Sequence, residues 1–121
     1  MPFYACSSLK TLYFNKLVNI QTQLGSSASN KQFLFGVVYL EDVYFGGLKA
    51  STFGSAVNQF QYLCGTNTGA LATNGCTIHF PSNFDPTNPD KTFDITTLTG
   101  YPTFGGNASY IHLAYDLPVT E

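Results

Sequence analysis

Phe35-Gly36-Val37-Val38-Tyr39-Leu40-Glu41-Asp42 is the stretch on which the reading of this chain turns. Taken as part of a strand over Gln32–Glu41, it is apolar on both faces. Phe33, Phe35, Val37 and Tyr39 point one way, and Leu34, Val38 and Leu40 point the other. A half-exposed strand alternates apolar and polar residues. Two apolar faces predict burial on both sides, as in a barrel wall that also packs against a partner or a second layer. The run ends in adjacent carboxylates, Glu41 and Asp42, which read either as a site at a barrel mouth or as the polar stop of a strand.

Outward from this run, strand signals dominate. Thr11 to Val18 is rich in β-formers, and Gln21 to Lys31 is polar and reads as a loop. Phe45-Gly46-Gly47 is a turn. Ser51 to Cys64 reads as a long strand with a bulge or kink at Gly54. Asn74-Gly75 is a hairpin signal between Ala70–Thr73 and Cys76–Phe80, which read as two short strands or as one strand with a bulge. Pro81 to Lys91 holds three prolines and is a loop. Thr92 to Leu98 and Ala108 to Tyr115 read as strands, with a glycine-rich turn region over Gly100–Asn107 between them. No helix, internal repeat or second domain is read. The prediction is an all-β domain over residues 1–121, with residues 1–10 as an extension and 117–121 as a tail. Its fold is a small antiparallel β-barrel of about 7–8 strands, or alternatively a β-sandwich of jelly-roll type.

Charged residues make up 10% of the 121-residue chain, against about 25% in typical soluble domains. There are five lysines, no arginine and a net charge of -2. Nucleic acid is excluded as an expected ligand, since phosphate binding draws on clustered Lys and Arg. A surface of Ser, Thr, Asn, Gln and Gly leaves little charge repulsion between subunits, so self-association is expected. The 44% of hydrophobic residues exclude a disordered chain. No apolar run reaches the length of a membrane span, and Met1 to Leu12 does not read as a signal peptide.

Cys64 and Cys76 flank a glycine-rich connection and are a candidate disulfide if they lie on neighbouring strands; the competing reading is a pair of buried free thiols. Cys6 is the odd cysteine, open to pairing between subunits. Asn107-Ala108-Ser109 is a glycosylation sequon.

The order of these motifs resembles the dirigent family and its relatives, the allene oxide cyclases. Leu12-Tyr13-Phe14-Asn15-Lys16 resembles the aromatic opening strand. Phe35-Gly36 through Glu41-Asp42 resembles the second strand and its acidic end, and Gly54 to Phe60 resembles the third. Thr99 to Phe104 stands at the late glycine turn, and Tyr110 to Leu113 resembles the closing strand. The likeness spans residues 11–116. Asn15-Lys16 replaces the family's histidine-aspartate, Val43 its proline, and Asn58 its second glycine; the pocket arginine has no counterpart. The resemblance implies trimers of eight-stranded barrels that need no cofactor. Such proteins steer the coupling of radicals made by a separate oxidase, or cyclise a reactive oxide.

Asp42 is then the catalytic candidate: a carboxylate at the mouth of an apolar barrel is suited to acid or base work. The competing reading is a solvated strand end. Pocket-lining candidates are Phe35, Tyr39, Tyr110 and His112. His79 and His112 would bind a metal or move a proton only if they met in one cavity, and no Cys/His cluster asks for a metal. Most aromatic residues read as core.

Three functions follow as expectations. The first is a structural subunit of an extracellular filament, coat or surface layer, located outside the cell or on a cell or virion surface and self-associating as a trimer or polymer. The second is a dirigent-like pocket for an apolar phenolic or lipid-derived intermediate. The third is a carbohydrate-binding β-domain.

Overall fold

Four short runs of β-branched and aromatic residues form the sheet: β1 (Thr11–Tyr13), β2 (Asp42–Tyr44), β3 (Cys76–Pro81) and β4 (Ile111–Leu117). The computed structural model describes residues 9–17, 40–49, 60–61, 63–64, 75–106 and 108–120. The strands lie in the order β1-β2-β3-β4, and every pair is parallel. Thr11, Asp42, Thr77 and His112 stand side by side in one row, Leu12, Val43, Ile78 and Leu113 in the next, and Tyr13, Tyr44, His79 and Ala114 in a third.

Alternation along each strand sorts these rows onto two faces. Val43, Phe45, Cys76, Ile78 and Phe80 are fully buried and define the inner face. Like residues stack across the strands there. Phe14 stacks on Phe45 at 5.1 Å, Phe45 on Phe80 at 5.7 Å, and Phe80 on Tyr115 at 6.0 Å between ring centroids. Parallel in-register pairing places equivalent side chains one strand apart, so each ring covers the next. This removes apolar area at about 25 cal/mol per Å².

Phe60 closes this face, tilted against Phe45 at 5.3 Å and Phe80 at 5.9 Å, and Phe104 meets its edge at 5.3 Å. Leu48, Leu63, Cys64, Ile95 and Leu98 complete the core. Parallel strands need long crossovers, usually helical. Here the connection from β3 to β4 is built of turns and two single 3₁₀ turns, Ser82–Phe84 and Ile95–Thr97. Asp94 caps the second, accepting from the amide and the hydroxyl of Thr96.

Two close approaches set this geometry. A β-carbon on Gly47 would run into the carbonyl of Asn15, and one on Gly106 would lie 2.6 Å from Cγ1 of Ile111. The chain end is tied down: Thr120 Oγ1 donates to the carbonyl of Gly46 at 2.6 Å.

The predicted antiparallel barrel of about 7–8 strands, and its jelly-roll alternative, are overturned by this all-parallel four-stranded sheet. With them goes the barrel that the dirigent resemblance implies. Apolar alternation shows which face of a strand is buried but not the direction of its neighbour. Glu41-Asp42 does not end a strand either: Asp42 begins β2. Ala70–Thr73 and Asn74 of the expected hairpin lie outside the described residues; Cys76–Pro81, which follows Gly75, pairs in parallel with β2 and β4. Thr92–Leu98 holds a 3₁₀ turn where a strand is predicted, with Asp94 seeding the turn. Leu117 belongs to β4 and not to a tail. The turn at Gly46-Gly47 and the loop after Pro81 stand where predicted. Residues 32–39 of the doubly apolar run, and most of 51–64, lie outside the described residues.

Candidate functional site

The outer face of the sheet carries the polar and aromatic rows. Tyr13 and Tyr44 stack at 4.7 Å and 8°, and Tyr44 stacks on the imidazole of His79 at 4.2 Å and 10°. These separations match the spacing of neighbouring strands, about 4.8 Å, so the rings lie flat on one another along the sheet. The row ends in Ala114, the in-register partner of His79.

Diagonal neighbours on this face supply two carboxylates. Asp42 is in register with Thr77, two residues before His79, and its Oδ1 lies 2.8 Å from Nε2 of His79. Asp116 stands two residues after Ala114, and its carboxylate oxygens lie 2.9 and 3.0 Å from Nδ1. Between the pairs His79/Ala114 and Pro81/Leu117, β4 carries one extra residue. Such a bulge re-aims side chains. Here it accompanies the turn of Asp116 toward His79, and the small side chain of Ala114 leaves the path open.

Both ring nitrogens of His79 therefore face carboxylate oxygens. Neutral imidazole carries a single N–H, whereas the imidazolium donates from both nitrogens. Burial of the ring pushes its pKa down, but the hydrogen bonds to Asp42 and Asp116 and the attraction of both charges outweigh this. His79 is left above its ordinary 6.5. Tyr44 is raised as well, by burial and then by the charge of Asp42.

Both nitrogens of the ring are engaged by carboxylates of the same sheet. Among the described residues, no group of three or more His, Cys, Asp or Glu side chains is placed to hold a metal ion. What the arrangement does is link β2, β3 and β4 through one ring. The exposed ring of the row is that of Tyr13, 65% accessible.

Asp42, the catalytic candidate, is thus a partner of His79. Glu41 beside it is exposed and lies 3.9 Å from Lys10. His112 is exposed on the outer face in the row of Thr77, and Tyr110 is half-buried, its carbonyl accepting from the amide of Cys76 at 2.7 Å. Phe35, Tyr39 and Asn107 lie outside the described residues.

Cys64 and Cys76 are free, buried thiols and not the disulfide their spacing suggested. The backbone fixes them separately: Cys64 N donates to the Phe104 carbonyl, and Cys76 sits in β3 beside Ile111. Burial pushes the Cys76 thiol up to about 12, helped by the charge of Asp42, and holds Cys64 well above the ordinary range, helped by Cys76.

The sequence reads His79 only as a partner of His112, and leaves Asp116 just beyond the last strand. The signal that finds both is the recurrence of Thr11-Leu12-Tyr13-Phe14 as Asp42-Val43-Tyr44-Phe45, Thr77-Ile78-His79-Phe80 and His112-Leu113-Ala114-Tyr115. The offsets are 31 and then twice 35 residues. Periods of this size mark repeat architectures.

No helix of the described residues is long and apolar enough to cross a membrane. No protein-family model matches the chain, and neither a curated protein nor a solved structure matches it.

Proposed function

We propose that this chain is a structural subunit of an extracellular filament, coat or surface layer, and that it self-associates through its sheet. The observation that carries the reading is the run of in-register side-chain rows across all four parallel strands of the described residues, ending on β1 in Tyr13, which stands 65% exposed. Edge strands invite further pairing unless charge, proline or a covering segment blocks them. A chain with 10% charged residues and no arginine offers little such protection.

Two further observations support this reading over a catalytic one. The polar centre on the outer face spends both nitrogens of His79 on its own neighbours. The inner face is filled by Phe45, Phe60, Phe80 and Phe104, leaving the apolar-pocket reading without the barrel interior it requires.

Light scattering of the native protein over a range of concentrations, with negative-stain images of the same fractions, tests it. The expected result is a mass that grows with concentration and an extended polymer or sheet. A strict monomer at every concentration overturns it.

A further inference from the structure

We propose that residues 116–120 form a strap held down by the ring of His79, and that loss of the ring proton releases it. The strap comprises the last two residues of β4 and the three that follow.

It leaves β4 at the bulge, where the register passes from His79/Ala114 to Pro81/Leu117. Its attachments then lie on the other strands. The Asp116 carboxylate sits on Nδ1 of His79 in β3 at 2.9 and 3.0 Å. Leu117 lies over Gly46, its Cδ1 3.7 Å from where a β-carbon there would stand. Thr120 Oγ1 donates to the carbonyl of Gly46 at 2.6 Å, in the turn after β2. The strap thus runs from β4 past β3 to β2. Pro118, Val119 and Thr120 are exposed, so burial contributes little to holding it. Among the described residues, the charged attachment is that of Asp116 to His79.

An imidazolium donates from both nitrogens, and a neutral ring from one. When the proton leaves for solvent, one nitrogen turns a lone pair toward carboxylate oxygens, and that contact becomes repulsive. Asp42 and Asp116 then compete for the remaining N–H. Asp42 stands in β2, flanked by β1 and β3, and its side chain is 36% exposed against 56% for Asp116. The more exposed carboxylate is the better hydrated once free. The N–H therefore stays with Asp42 through Nε2, and Asp116 is let go. Ile111–Ala114 keep their pairing with β3, so the release is local.

The other groups around the ring do not take over this role. Tyr44 of β2 stacks on His79, and Tyr13 of β1 stacks on Tyr44. Tyr44 is raised above its ordinary 10.0 and stays neutral while the imidazole titrates. His112, on the same face of β4, lies by Gly75. His79 itself is raised above its ordinary 6.5, which sets the release on the alkaline side of that value.

Carboxypeptidase digestion of the full-length wild-type chain, followed by mass, tests the strap, because the protease takes only a free chain end. Rates are divided by those of a synthetic peptide of residues 114–121 at the same pH. From about pH 6 to about pH 8.5, loss of the terminal residues is expected to accelerate about tenfold, with circular dichroism unchanged. Equal normalised rates across this range overturn the proposal, and this arm needs no variant to fold.

Two variants separate the switch from general loosening. Asp116→Asn is expected to be trimmed at the fast rate at both pH values. Asp42→Asn is expected to stay slow at both, because the neutral ring then gives its N–H to Asp116 and accepts from the new amide at Nε2. A pH-dependent acceleration that survives in Asp42→Asn overturns the competition between the two carboxylates, and with it the proposal.

Discussion

Asp42 and Asp116 each stand 37 residues from His79 along the chain, one before it and one after, and the parallel sheet brings both to its ring. Asp42 accepts from Nε2 at 2.8 Å and Asp116 from Nδ1 at 2.9 Å. Three strands are thereby joined through one side chain, on the face opposite the aromatic core.

Removing the ring tests that linkage. His79→Ala loses two charge-assisted hydrogen bonds and the stacking on Tyr44, and it leaves two carboxylates facing each other. The expected cost is about 2 kcal/mol, toward the low end for buried ion pairs because both carboxylates are partly exposed. Urea unfolding followed by circular dichroism measures it. An unchanged midpoint would show that the linkage contributes nothing to stability.

The same centre sets a pH dependence. The pKa of His79 is raised on folding, so its contribution is fully present below the unfolded-state value of about 6.5. It is lost as pH rises through the higher folded-state value. Stability is therefore expected to fall as pH rises above about 6.5. The double variant Asp42→Asn/Asp116→Asn should flatten this slope, and unfolding midpoints taken across the range in both proteins check it.

Phe80 lies at the centre of the inner aromatic packing, touching Phe45, Phe60, Phe84 and Tyr115. Phe80→Ala is expected to destabilise the fold by about 3–5 kcal/mol through lost burial and a residual cavity. Ile78→Val, one methylene smaller in the neighbouring row, should cost about 1 kcal/mol. Thermal unfolding of the two variants side by side distinguishes a tightly packed inner face from a loose one, in which the costs would converge.

Gly47 faces backbone on the far side of the turn after β2. Backbone cannot swing aside as a side chain can, so Gly47→Ala is expected to cost about 1–3 kcal/mol by overpacking. A neutral result in denaturant titration would place Asn15 elsewhere.

Cys64 and Cys76 are buried thiols whose pKa values are pushed up, and the thiolate is the reactive form. Neither is expected to react with iodoacetamide at neutral pH in the native protein, and both should react after unfolding. Peptide mapping of the labelled chain shows this directly.

Much of the local chemistry was legible in the chain. Thr11-Leu12-Tyr13 reads as strand and is strand; Gly46-Gly47 reads as turn and is turn. Aromatic residues such as Phe60, Phe80 and Phe104 read as core and are buried. Asp42 was singled out for its position in the chain, but its partner was not visible. Nothing near Asp42 in sequence names His79, and Asp116 stood beyond the predicted end of the last strand.

By itself the sequence determined composition and alternation: a weakly charged, arginine-free, aromatic-rich β protein with an apolar side to each strand. Only the tertiary structure decided which strands are neighbours, that they run parallel, and that His79 lies between two carboxylates. The physical reason is that burial selects a face residue by residue. Pairing direction and register are settled by rows of side chains contributed from segments 31 to 35 residues apart, and those rows exist only once the strands lie side by side.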